Sequence, residues 1–154
     1  MRHWLMKSEP SVFTIEELEK SPQQTVKWIP EKGIRNYQAR NFMRDDMSLG
    51  DLAFFYQSNC DKPGIIGIMK ISKLAYPDPL QFIEGHKYFD KSSSPLNPRW
   101  LSVDVTLVKR LPLIELKQLR SFPELENMMI LRKGNRLSIT PVLEKEWNFI
   151  TQEI

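Results

Sequence analysis

The sequence predicts a small mixed barrel or α+β domain. Apolar segments with strand character and short helical segments interleave along 154 residues. One of them, Trp100 to Leu111, carries the strict apolar/polar alternation of a half-buried strand. No internal repeat or low-complexity tract divides the chain, so a single domain over residues 1–154 is expected.

The elements follow in order. His3 to Met6 reads as a short apolar strand that Pro10 ends. Thr14 and Glu17 have the spacing of a capping box, which opens a helix whose apolar stripe begins at Ile15 and Leu18 and which Ser21-Pro22 ends. Val26 to Ile34, with Trp28, Pro30 and Gly33, lacks periodicity and reads as a loop. Asn36 is the natural N-cap of a second helix to Asp45, with Ala39, Phe42 and Met43 on one face and Arg40 and Arg44 on another. Leu52 to Ser58 and Gly64 to Ile71 are apolar on both faces, as buried strands are. The Pro- and Ser-rich interval Ala75 to Arg99 reads as an excursion whose aromatics pack down. In the strand that follows, Leu101, Val103, Val105 and Leu107 share one face. Glu115 to Arg120 looks helical, with a second short helix at Pro123. A basic turn, Arg132-Lys133-Gly134-Asn135-Arg136, precedes Thr140-Pro141, which reads as the start of a closing helix with Leu143, Trp147, Ile150 and Ile154 on one stripe.

Composition narrows the function classes. A hydrophobic fraction of 41% with 27% charged residues fits a packed globular chain, not a disordered one. The one cysteine, Cys60, allows no intrachain disulfide and no cysteine-built zinc site, which fits a reducing, cytoplasmic compartment. Neither a signal peptide nor a membrane-length apolar run is present in the sequence. Twenty-two Lys and Arg against nineteen Asp and Glu give +3, a bias compatible with polyanion partners. His3 and His86 lie far apart and outside any metal-binding spacing, and there is no GxSxG, GxGxxG or GxxxxGK[ST]. No metal, no cofactor and no catalytic residue are expected.

Three stretches mix polar and aromatic residues where a core would hold aliphatics: Lys7-Ser8-Glu9, Arg35 to Phe42, and Phe55 to Asn59, together with Trp28. Such groups suit a concave site in which aromatic faces hold a planar base, polar side chains read its edge and cations take phosphate. Each has a plainer reading: the tryptophans as core, Arg40 and Arg44 as a solvated helix face, Asp104 as the partner of Arg35 or Arg136 in a buried ion pair.

In order along the chain, Trp4 to Pro10, Gly33 to Phe42, Gly50-Asp51 with Phe54-Phe55-Tyr56, Pro63 to Gly67, Ala75 to Pro79, Pro98-Arg99-Trp100, Val103-Asp104-Val105 and Leu131 to Ser138 resemble the EVE domain family nearly end to end. The resemblance implies a PUA-like fold, a small twisted β-barrel with peripheral short helices, and a compact form similar to the stand-alone bacterial members. It implies a non-enzymatic reader of a modified base in DNA or RNA, with modified cytosine in DNA foremost. Carried over, the pocket comprises Lys7, Ser8, Glu9, Trp28, Arg35, Asn36, Tyr37, Phe55, Tyr56, Gln57 and Ser58, with Asn135 and Arg136 beside it. Trp28 or Tyr56 would stack on the base, and Arg40, Arg44, Arg132 and Lys133 would hold flanking phosphates. Gln57 stands where relatives commonly have histidine, and Leu101 replaces a bulkier residue. The competing classes are a small-molecule sensor and an enzyme acting on a small anionic ligand, for which Glu9 is the candidate acid or base.

Overall fold

Alternation along the strands dictates the architecture. In β1 (His3–Ser8), Trp4 and Met6 face one side while Leu5 faces the other; in β3 (Leu52–Gln57), Ala53 and Phe55 oppose Phe54 and Tyr56. A strand apolar on both faces must lie inside a sheet covered on both faces. The computed structural model, which describes residues 1–154, shows this arrangement: one six-stranded sheet with a hydrophobic core on each face.

The strand order is β2 (Thr25–Lys27), β5 (Leu101–Glu115), β4 (Gly64–Pro77), β3, β1, β6 (Ile139–Val142). Only β1 and β3 pair in parallel; the other neighbours are antiparallel. The long strands β4 and β5 carry four register shifts, irregularities of the kind that bend a strand and increase its twist. The α+β class and the peripheral short helices are as expected. The sheet, however, is not closed into a barrel: β2 and β6 are its two edges, and no ladder joins them.

Local chemistry sets the element ends. Thr14 Oγ1 accepts from Glu17 N and Glu17 Oε1 accepts from Thr14 N, so the capping box opens α1 (Ile15–Lys20) as read from the sequence. Asn36 Oδ1 accepts from Ala39 N and caps α2 (Tyr37–Asn41), which continues as a π turn over Phe42–Asp46. β5 reaches Glu115 and leads into α3 (Leu116–Leu119). Two expectations are corrected. Val26 and Lys27 belong to β2, whose three residues pair with Asp104, Val105 and Thr106. Thr140-Pro141 starts no helix, because Ile139–Val142 pairs with β1 as an edge strand, where proline costs no ladder bond. The helix α4 (Glu144–Glu153) begins after it, and buries Trp147 and Ile150 but leaves Leu143 exposed.

The first core gathers Trp4, Met6, Phe13, Ile15, Leu18 and Trp28 with Phe55, Met69, Val103 and Val105. The second, beneath α4, contains Leu5, Phe54, Tyr56, Ile65, Leu119, Trp147 and Ile150, with Trp147 stacked on Phe54 at 4.0 Å. The excursion 79–99 packs down through Gln81, which is fully buried: its Nε2 donates to Asp78 O and Trp100 O, and its Oε1 accepts from Trp100 N. No helix is long and apolar enough to cross a membrane.

Candidate functional site

At the carboxyl ends of the parallel pair β1 and β3 the sheet opens into a cleft of about 380 Å³, within the range that takes a small ligand. Lys7 and Glu9 enter it from the end of β1, Ser58 from the end of β3, and Arg136 and Ser138 from the chain just before β6. Backbone bonds lock these walls together: Lys7 N donates to Ser138 O at 2.8 Å and Ser58 N to Ser8 O at 3.0 Å. The remaining wall is the irregular segment from Ile29 to Asn36, with Val12 beside it. Only three of the twelve lining residues are hydrophobic, Val12, Ile29 and Ile34.

The irregular wall is held by a buried carboxylate. Asp78 has no solvent exposure, and it accepts from Lys27 Nζ at 2.7 Å, Arg35 Nη1 at 2.9 Å and Leu80 N at 3.1 Å. Burial alone would raise its pKa, but the hydrogen bonds from Lys27 and Arg35 outweigh it and hold the carboxyl below its ordinary value. Gly33 makes the approach possible. Its φ is +70°, and a Cβ there would lie 2.0 Å from Asp78 Oδ2, so no other residue fits without rearrangement.

Arg35 is thereby fixed from several sides. It donates to Ile34 O and Tyr88 O, and its guanidinium lies 5.6 Å from the ring centroids of both Tyr88 and Trp100. Its partner is Asp78, not the expected Asp104, which instead accepts from the Tyr76 hydroxyl. Lys7, Lys32, Arg136 and Glu9 form no ion pair. Burial pulls the Lys7 pKa below its ordinary value.

Of the pocket residues read from the sequence, Lys7, Glu9, Arg35, Asn36, Ser58 and Arg136 line this one cleft. The aromatic walls do not. Trp28 is fully buried in the first core, edge-on to Phe55 at 5.4 Å and to Phe13 at 6.3 Å. Phe55 is buried beside it, and Tyr56 points to the opposite face into the second core, where burial raises its hydroxyl pKa to about 12. A fully packed ring has no free face on which a base can stack, so the stacking role expected for Trp28 or Tyr56 does not fit this arrangement. Ser8 is also buried and donates to Phe13 O at 2.6 Å. Gln57 Nε2 donates to Lys62 O in the β3–β4 connection, and Asn135 supports its own turn by donating to Met129 O. Tyr37 lies outside the cleft, half exposed, its ring 4.9 Å from that of Trp100.

The cations expected to hold phosphate divide in two. Arg40 is engaged internally, donating to Arg99 O and Asn41 Oδ1 and lying over Tyr37, and Arg44 is paired with Asp45 at 2.8 Å. Arg132 and Lys133 are exposed and unpaired, on the same turn as Arg136. Missed from the sequence were Lys32, Gly33, Ile34, Val12, Ile29 and Ser138 in the lining, and Asp78 behind it. Pro30 and Gly33 marked a turn, but no local pattern gave Lys32 or the partners of Asp78 away.

The EVE domain model matches residues 2–153. The chain belongs to the EVE domain family. This EVE domain is 45% identical to human thymocyte nuclear protein 1 over 96% of its own length and 72% of that protein's. Among solved structures it is similar to human THYN1 protein in complex with DNA containing 5-methylcytosine, with a TM-score of 0.88 and 44% identity over 97% of this chain and 95% of that one. It is equally similar in fold to a protein from Pseudomonas putida, with a TM-score of 0.88 and 41% identity over 97% of both chains.

Proposed function

We propose that this EVE domain binds nucleic acid and reads a modified base, with 5-methylcytosine in DNA the leading candidate, in the cleft at the ends of β1 and β3. One observation carries the reading: a cleft large enough for a base, lined by four cations and one carboxylate, in a chain so similar to one solved with methylated DNA. In this reading Glu9 accepts a hydrogen bond from the exocyclic amine of the base, and the Asn36 amide and the hydroxyls of Ser58 and Ser138 meet its remaining edge. A base that offers the wrong donors or acceptors leaves these groups unpaired, which costs about 1–3 kcal/mol each. Ile29, Ile34 and Val12 supply apolar contact in place of a stacking wall. Arg132 and Lys133 grip flanking phosphates, giving salt-dependent and sequence-indifferent affinity.

The reading is of binding without turnover. It rests on the lining set, which holds neither histidine nor cysteine and offers a single carboxylate, Glu9. Fluorescence anisotropy with matched duplexes, one containing 5-methylcytosine and one unmodified, tests both parts when run alongside nucleoside mass spectrometry. Wild type should prefer the methylated duplex and release no new nucleoside, and Glu9→Gln should change the preference. Equal binding to both duplexes by wild type would refute the reader; a product that vanishes in Glu9→Gln would make the protein an enzyme.

A further inference from the structure

The charges within the cleft do not balance. Of its four cations, Arg35 is paired with the buried Asp78 at 2.9 Å, a carboxylate it shares with Lys27. Lys7, Lys32 and Arg136 remain, none of them in an ion pair, against the single carboxylate of Glu9. Lys7 is partly buried, and its ammonium, which no acceptor of the protein meets, opens onto the cleft. Burial already lowers its pKa, as expected where no anion is at hand. A site that enclosed only a neutral base would have no use for this excess. An apolar or aromatic lining would serve it better, yet the nearby aromatic rings of Trp28, Phe55 and Tyr56 are all sealed inside the two cores.

We infer that the ligand brings an anionic oxygen group into the cleft, seated on Lys7 and Arg136 with Lys32 beside them. Arginine and lysine both bind phosphate and carboxylate through charge-assisted hydrogen bonds. Two parts of a nucleotide carry such a group: its own phosphate, or a carboxylate on a modified base. This inference rests on the reading of the cleft as the place where a nucleotide is held, and it adds that recognition is of a charged nucleotide rather than of a neutral base alone.

Calorimetry at one salt concentration tests it and separates the two sources. The probes are deoxycytidine, deoxycytidine 5′-monophosphate, and oligonucleotides of one sequence carrying cytosine, 5-methylcytosine or 5-carboxycytosine. Proteins are wild type, Lys7→Gln/Arg136→Gln and Lys32→Gln, with thermal unfolding run on each. Neither Lys7 nor Arg136 forms a side-chain ion pair, so the double variant should fold normally. If it does not, Lys32→Gln carries the same test with a smaller loss. If the phosphate is the anion, the monophosphate binds and the nucleoside does not. If the base carboxylate is the anion, the 5-carboxycytosine oligonucleotide binds more tightly than the 5-methylcytosine one. In either case the double variant weakens that binding by about tenfold or more. Preference for 5-methylcytosine that survives unchanged in the double variant, with nucleoside and monophosphate binding alike, would overturn the inference and leave the reader intact. Monophosphate binding without any response to the modified oligonucleotides would support the anion and refute the reader.

Discussion

The two faces of this sheet are made from the same strands and have opposite fates. On one face, Leu5, Phe54 and Tyr56 are closed over by α4, whose Trp147 stacks on Phe54, and the result is an apolar core. On the other, Met6 and Phe55 pack against Trp28, and the cover combines α1 and α2 with the irregular chain from Ile29 to Asn36, which bends around a buried carboxylate and opens a cleft. A regular amphipathic helix seals a sheet because it satisfies its own backbone polar groups and presents one apolar stripe. An irregular segment must satisfy its polar groups in other ways: here Lys32 N and Gly33 N turn back to Ile29 O, Ile34 O accepts from Arg35 Nη1, and the Arg35 side chain is anchored on Asp78 at the back of the site. The difference between the faces is therefore set by what covers them, not by the strands.

The largest way to break the comparison is at the tryptophans. Trp28→Ala should destabilise the protein by about 3–5 kcal/mol, as truncation of a fully packed aromatic does, and Trp147→Ala should cost a similar amount. Chemical denaturation measures both. A Trp28→Ala protein of normal stability would mean that the ring is not core, and would return it to the role of a stacking wall.

Next in size is the buried pair. Asp78→Asn leaves Lys27 and Arg35 without their counter-charge, and should cost toward the lower end of about 3–5 kcal/mol, since both cations retain some contact with water. The pH dependence follows from the sign of the shift. The carboxyl pKa is lower in the folded state than in the unfolded chain, so its contribution is fully present above the ordinary carboxylate value and is lost as pH falls through the lower, folded one. Thermal unfolding of wild type should therefore show a loss below about pH 4 that is weaker in Asp78→Asn. Identical acid profiles would show that Asp78 does not carry this charge. Leu143→Ala at the start of α4 is the control on the other face, and should cost little because the side chain is exposed.

A smaller effect than those of the tryptophans and Asp78 is expected at the start of α1. Thr14→Ala removes the N-cap of α1 and should lower stability by about 1 kcal/mol without touching the cleft. A change in ligand preference in that variant would mean the cleft senses α1, which no contact between them predicts.

The regular half of the molecule was legible in the sequence. A period-two pattern gave β5, a run apolar on both faces gave β3, and the Thr14–Glu17 spacing gave α1 its start, because these signals are local. Six cleft residues were also named: Lys7, Glu9, Arg35, Asn36 and Ser58 lie in stretches that mix polar and aromatic residues, and Arg136 came through the family resemblance. What failed was non-local. Asp78 meets Lys27 and Arg35 across 51 and 43 residues, and no periodicity encodes that meeting. Trp28 sits in a segment without repeat, so its neighbours looked polar although its ring turns inward to Phe13 and Phe55. Thr140-Pro141 has the local chemistry of a helix start, and pairing with β1 overrode it.

The most direct test of the central claim, that the cleft at the ends of β1 and β3 reads the base, is a titration of isotope-labelled protein with a 5-methylcytosine duplex, followed by amide chemical shifts. The changes should concentrate at residues 7–9, 29–36, 58 and 136–138, with weaker ones at Arg132 and Lys133 and none along α4. Changes confined to α4 or to the exposed length of β5, with the cleft amides unmoved, would contradict it.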